Sequence, residues 1–72
     1  MPFEGMVTGF VEQLFELGKD KKAEKIGLQI IENYSQKEKL TERDFSNINY
    51  LKNISNSYQN KVLQKAFEKT NW

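Results

Sequence analysis

The sequence predicts an all-α fold: a small bundle of three or four helices in which the first two run antiparallel. Three observations lead there. Apolar residues recur at spacings of three and four along separate stretches of the chain, the period of a helix with one buried face. Residues that start and stop helices (Pro2, Gly18, Asp20, Thr41) fall between those stretches. Five Phe, three Tyr and Trp72 join the apolar positions, a load of aromatics that disordered chains lack.

The first helix is expected over residues 2–17. Proline at the first helical position orphans no donor, and Glu4 lies where the helix dipole favours negative charge. Phe3, Met6, Val7, Phe10, Val11, Leu14, Phe15 and Leu17 form one stripe, with Glu12, Gln13 and Glu16 outside it. Gly18 is expected to end this helix. If one helix continued through Tyr34, the later stripe of Ala23, Ile26, Ile30, Ile31 and Tyr34 would point roughly 160° away from the first. A straight rod cannot bury both faces in one small core, so the chain must fold back at Gly18-Lys19.

The second helix is expected over residues 20–35, with Asp20 as its cap. Gly27 either weakens it by about 1 kcal/mol relative to alanine or admits a close neighbour. Ser35-Gln-Lys-Glu-Lys39 reads as a polar connection. Thr41, with Asp44 three residues on, imitates a capping box for a third helix over 42–53 carrying Phe45, Ile48, Leu51 and Ile54. The run Asn53-Ile-Ser-Asn-Ser57 is rich in side chains that compete for their own backbone, which favours a break near Asn53. A break there also keeps Lys52 out of an apolar arc. A last helix over 57–69 carries Tyr58, Val62, Leu63, Ala66 and Phe67. The 72 residues read as a single helical domain.

Histidine and cysteine are both absent, which removes the commonest general base, the thiol nucleophile and the best transition-metal ligands. The carboxylate pairs Glu12/Glu16 and Asp20/Glu24 share helix faces as ordinary solvated charges do. No glycine-rich phosphate loop, dinucleotide fingerprint or calcium-loop spacing occurs. The sequence therefore points to a non-enzymatic protein without cofactor or metal, acting through its surface. It shows no signal peptide and no run long enough to span a membrane, and the lack of cysteine fits a cytoplasmic location.

A core this small supplies only about 3–5 kcal/mol of net stability. Without disulfides or a soft-metal site, self-association is the remaining reinforcement, and a homodimer is expected. Gly5 and Gly9 lie outside the apolar stripe and leave the back of the first helix open to a second surface. The net charge is +1, but residues 1–36 carry −2 and residues 37–72 carry +3.

The expected function is a protein-interaction module, a regulator or inhibitor that masks or recruits a partner protein. The candidate contacts are Phe3, Met6 and Phe10 on the edge of the first helix, and Tyr58, Lys61, Lys65, Lys69 and Trp72 toward the C-terminal end. Aromatics anchor interfaces, and terminal ones are hard to bury in a small domain. The three lysines form a ridge at spacings of four. The alternative is a helix-turn-helix-like DNA-binding regulator reading bases with Asn47, Asn49, Lys52 and Asn53, with Arg43 on phosphate. Against it stand the near-neutral net charge and the acids Glu42 and Asp44 at the reader's leading end. A second alternative attaches the first helix peripherally to a membrane, although its polar face carries glutamates that anionic lipid repels. In size and helical pattern the chain resembles small regulators, inhibitors and immunity-type proteins of bacteria and their phages, with no residue motif tying it to one of them.

Overall fold

The computed structural model describes the backbone of residues 4–70 and 72 and the side chains of residues 8–70 and 72. Among these residues lie four helices: α1 (Glu4–Glu16), α2 (Asp20–Ser35), α3 (Glu42–Ser57) and α4 (Lys61–Glu68). The expected proline start and the side chains of Phe3 and Met6 lie outside the described residues. The protein is an all-α bundle, and its most extensive interface is between α1 and α2. The helices α1, α2, α4 and α3 follow one another around the core, so the backbones of α1 and α4 stand apart across it.

Gly18 ends α1 as its backbone freedom predicts. It adopts φ +77°. Its N–H donates to the Phe15 carbonyl at 3.0 Å and the Lys19 N–H donates to the Leu14 carbonyl at 2.8 Å. That pair of bonds is a Schellman closure, which satisfies the last carbonyls and turns the chain back within three residues. The cap of α2 differs from expectation. Lys19 holds the N-cap position without a side-chain bond, and Asp20 is already the first helical residue. Lys19 is fixed there by the closure of α1, so Asp20 helps α2 only through its charge near the helix start.

The capping box of α3 is present. Thr41 Oγ1 accepts from the Asp44 N–H at 3.2 Å, and Asp44 Oδ2 accepts from the Thr41 N–H at 2.9 Å. Lys37 adds an ion pair to Asp44 Oδ1 at 3.0 Å. Asp44 is buried, yet the Thr41 N–H holds its carboxyl below the usual carboxylate range; burial opposes this and the Lys37 hydrogen bond and charge assist it. A carboxylate depressed in the folded state stabilises the fold above its unfolded pKa, and that contribution is lost as pH falls through the lower folded value. Lowering pH from about 5 through and below the ordinary aspartate range should therefore reduce the urea midpoint. Asp44→Asn should lose about 1 kcal/mol at neutral pH and show a flatter acid limb. An acid limb as steep as the parent's would remove Asp44 from this role.

The third helix runs four residues past the expected break at Asn53. Ser55 is fully buried and returns its hydroxyl to the Leu51 carbonyl at 2.8 Å, so the polar run satisfies itself inside the helix. Lys52 is only partly covered and carries its ammonium out to the Trp72 carbonyl at 3.4 Å, so no break is needed to keep it from the core. The chain turns instead at Tyr58-Gln59-Asn60, which leaves Tyr58 outside α4.

This second turn repeats the first. Gln59 N–H donates to the Asn56 carbonyl at 3.1 Å and Asn60 N–H to the Ser55 carbonyl at 2.9 Å, with Gln59 at φ +51°. A non-glycine residue is strained there by about 1–2 kcal/mol. Gln59→Gly should raise stability by about 0.5–1 kcal/mol after its larger unfolded-state entropy is counted. The urea midpoint reads this directly, and a lower midpoint would contradict the turn geometry.

The core gathers Val11, Leu14 and Phe15 of α1, Ala23, Ile30, Ile31 and Tyr34 of α2, Ile48, Leu51 and Ile54 of α3, and Leu63 and Phe67 of α4. Leu17, Phe45 and Val62, read from periodicity as core-facing, are exposed instead, and so are Phe10 and Tyr58, which lie on the same apolar patterns and are also candidate contacts. Phe45 points outward because the inward register of α3 starts at Asp44 and continues through Ile48, Leu51 and Ser55. Phe10 and Leu17, seven residues apart, lie on one flank of the α1 stripe. Gly27 is buried against Leu63, whose terminal methyls lie 2.9 and 3.0 Å from where a Cβ would stand. It is the close neighbour that the sequence allowed for.

Candidate functional site

Of the residues expected on the two contact surfaces, those with described side chains lie as follows. Phe10 is 48% exposed on α1, whose backbone does not approach that of α4. Tyr58 stacks on Phe15 at 4.9 Å between ring centres, in the turn before α4. Burial first, then the charges of Glu16 and Glu12, raise its pKa, so it is a neutral phenol at physiological pH. Nearby, the Tyr50 hydroxyl donates to Glu12 and ties α3 to α1; that bond is the main cause of its raised pKa. Trp72 is partly buried, edge-on to Tyr34 at 6.5 Å and to Phe67 at 6.2 Å. Phe3 and Met6 belong to the N-terminal part whose side chains are not described.

Lys61, Lys65 and Lys69 do come together, and α4 explains how. Asn60 caps this helix by accepting from the Leu63 N–H at 3.0 Å. Leu63 and Phe67 anchor it on α2 and α3. With those two inward, steps of 100° place Ala66, Val62 and Lys69 toward the α2 side, Lys65 outward, and Lys61 round toward the α3 side of the helix. All three lysines are exposed, and no carboxylate among the described residues pairs with them.

Two of the lysines, Lys65 and Lys69, border a groove of about 490 Å³ between α2 and α4. Leu28 and Ile31 of α2 face Val62 and Ala66 of α4 across it, and Lys65 and Lys69 stand on its rim. Leu28 and Val62 are respectively 38% and 45% exposed, so the floor is open to solvent. Its two hydroxyls are occupied within the chain: Ser35 donates to the Ile31 carbonyl at 2.9 Å and Thr70 to the Phe67 carbonyl at 2.7 Å. What the groove offers a ligand is therefore apolar area and positive charge. The lysine ridge was visible in the sequence. The α2 wall was not, because Leu28 stands off the main stripe of its helix; an isolated leucine on a polar face was the available signal.

A depression of about 530 Å³ between α3 and α4 is less suited to binding. Its polar wall is internally paired, with Gln64 donating to Asn56 at 3.1 Å and Lys52 to the Trp72 carbonyl. The DNA-reading set is also partly engaged, since Asn47 donates to the Tyr34 hydroxyl at 3.1 Å. Among the described residues no cluster of carboxylates is positioned to hold a metal, and no helix is long and apolar enough to cross a membrane.

Fold and groove together define a small four-helix protein with an apolar, lysine-rimmed cleft. A scan against protein-family models, a search of curated proteins and a search of solved structures each gave no match.

Proposed function

We propose that this chain is a non-enzymatic protein-interaction module, a regulator or inhibitor that binds a partner protein through the α2–α4 side of its bundle. One observation carries the reading: Lys65 and Lys69, with no ion-pair partner among the described residues, rim an exposed apolar groove, and Lys61 continues their ridge beyond it. Charged side chains kept free next to open apolar area suit recognition, where charge guides encounter and apolar contact retains the partner. A cytoplasmic setting accords with the lack of cysteine. A homodimer is proposed through the flank of α1, where Phe10 and Leu17 are exposed on a helix whose backbone stands apart from α4. Such a dimer leaves the groove accessible. The DNA-binding reading has weaker support, because Asn47 and Lys52 already hydrogen-bond within the chain.

The test is a pull-down from the native host with the parent chain and with the triple variant Lys61→Glu, Lys65→Glu, Lys69→Glu, helicity being checked in parallel. A protein retained by the parent and lost by the folded variant is the expected result. Identical retention by both overturns the assignment of this face.

A further inference from the structure

Resting on that reading, we infer that the α2–α4 groove takes an acidic amphipathic helix of the partner, which lies along α4 with its apolar edge in the groove and its carboxylates on the lysine ridge. The lysines recur every four residues, so the ridge spans two turns, about 12 Å along the axis. A partner helix with acids one turn apart repeats at the same interval. An extended peptide repeats on one face about every 6.6 Å, near the same interval, so the shape of the groove and not the lysine spacing selects a helix. The groove lies between two helices, the geometry in which a third helix seats an apolar edge.

The chemistry of the lining narrows the occupant further. Leu28, Ile31, Val62 and Ala66 supply no hydrogen-bonding side chain. Ser35 and Thr70 direct their hydroxyl protons to carbonyls of their own chain. The unsatisfied cations are Lys65 and Lys69 on the rim and Lys61 one turn earlier. A ligand satisfying both features needs aliphatic side chains on one edge and carboxylates on the next. Nucleic acid would meet the lysines and leave the apolar floor wet. A second copy would have to offer the acid pair Asp20 and Glu24 of α2, and its dependence on protein concentration distinguishes it from a partner helix.

The full chain, labelled with nitrogen-15, is titrated with two synthetic helical peptides sharing the same leucine edge. One carries glutamates beside that edge and the other carries lysines. The acidic peptide should shift the amide signals of Leu28, Val62, Lys65 and Ala66 and bind at least tenfold tighter than the basic one. In the Lys65→Glu, Lys69→Glu variant the preference should reverse, a gain that unfolding cannot imitate. Val62→Asp, at an exposed site in the first turn of α4, should abolish binding of both peptides while the helix content stays unchanged. Equal affinities, or shifts confined to residues outside the groove, overturn the inference. So do groove shifts that appear on raising protein concentration alone, which would make a second copy the occupant, or on adding anionic phosphatidylglycerol vesicles but neither peptide. A partner captured in the pull-down through the lysines, combined with no peptide preference, sinks the helix inference and leaves the interaction module standing.

Discussion

Replacing Tyr34 by alanine is expected to unfold the chain. Tyr34 is 2% exposed and touches three parts of the structure. Its hydroxyl accepts from Asn47 of α3 at 3.1 Å, its ring meets Trp72 edge-on, and the Lys37 ammonium lies 5.4 Å from its ring centre. Truncating a buried aromatic to alanine costs about 3–5 kcal/mol, and a core of this size supplies about that much in total. Far-UV circular dichroism at neutral pH should show most of the helical signal gone. Tyr34→Phe isolates the hydroxyl. It should cost only about 1 kcal/mol, because Asn47 is partly exposed and can turn to water. A folded Tyr34→Ala protein with a urea midpoint near the parent's would show that Tyr34 does not hold α2, α3 and the C-terminal aromatic together.

Enlarging Gly27 is expected to have the next largest effect. Leu63 is fully buried, and two of its atoms approach the missing Cβ position to 3.0 Å or less. Its methyls are hemmed in by the core and cannot simply swing aside. Gly27→Val inserts three carbons into that contact and should cost about 2–3 kcal/mol, since overpacking outweighs the small gain in helix propensity. Gly27→Ala should cost less, about 1 kcal/mol. In a Leu63→Val background, which removes both encroaching methyls, Gly27→Ala should instead stabilise by about 0.5–1 kcal/mol. The change of sign is the signature of direct contact. If alanine has the same effect in both backgrounds, α4 does not pack on the backbone of α2. The same contact sets the width of the groove, so Gly27→Val should also weaken binding there.

The parts of this fold that could be read from the sequence are those in which one residue type does one local job. Gly18 is where a left-handed turn is needed, and Thr41 with Asp44 is a reciprocal cap. The phase jump between the α1 and α2 stripes forces a reversal whatever the neighbours do. The missed parts depend on tertiary context. The turn after α3 carries no glycine, because the packing of α4 holds Gln59 in its strained geometry. The Asn- and Ser-rich run stays helical because Ser55 bonds back to Leu51 and the asparagines at 53 and 56 face solvent. Phe45 reads as core and is not, because the neighbouring Asp44 turns inward to close the capping box. At the candidate site, a lysine repeat is a property of one helix and shows in the sequence. A groove is a property of two helices, and nothing local joins Leu28 to Val62, thirty-four positions apart.

The position of Trp72 gives the molecule its own optical sensor. This single indole lies where α2 and α4 meet, bordered by Ser35, Lys69 and Thr70, at the end of the cleft nearest Lys69. Its emission reports the polarity and quenching of that corner. A guest settling over Lys69 should shift the emission wavelength without any attached dye, and titrations can be read from the unmodified chain.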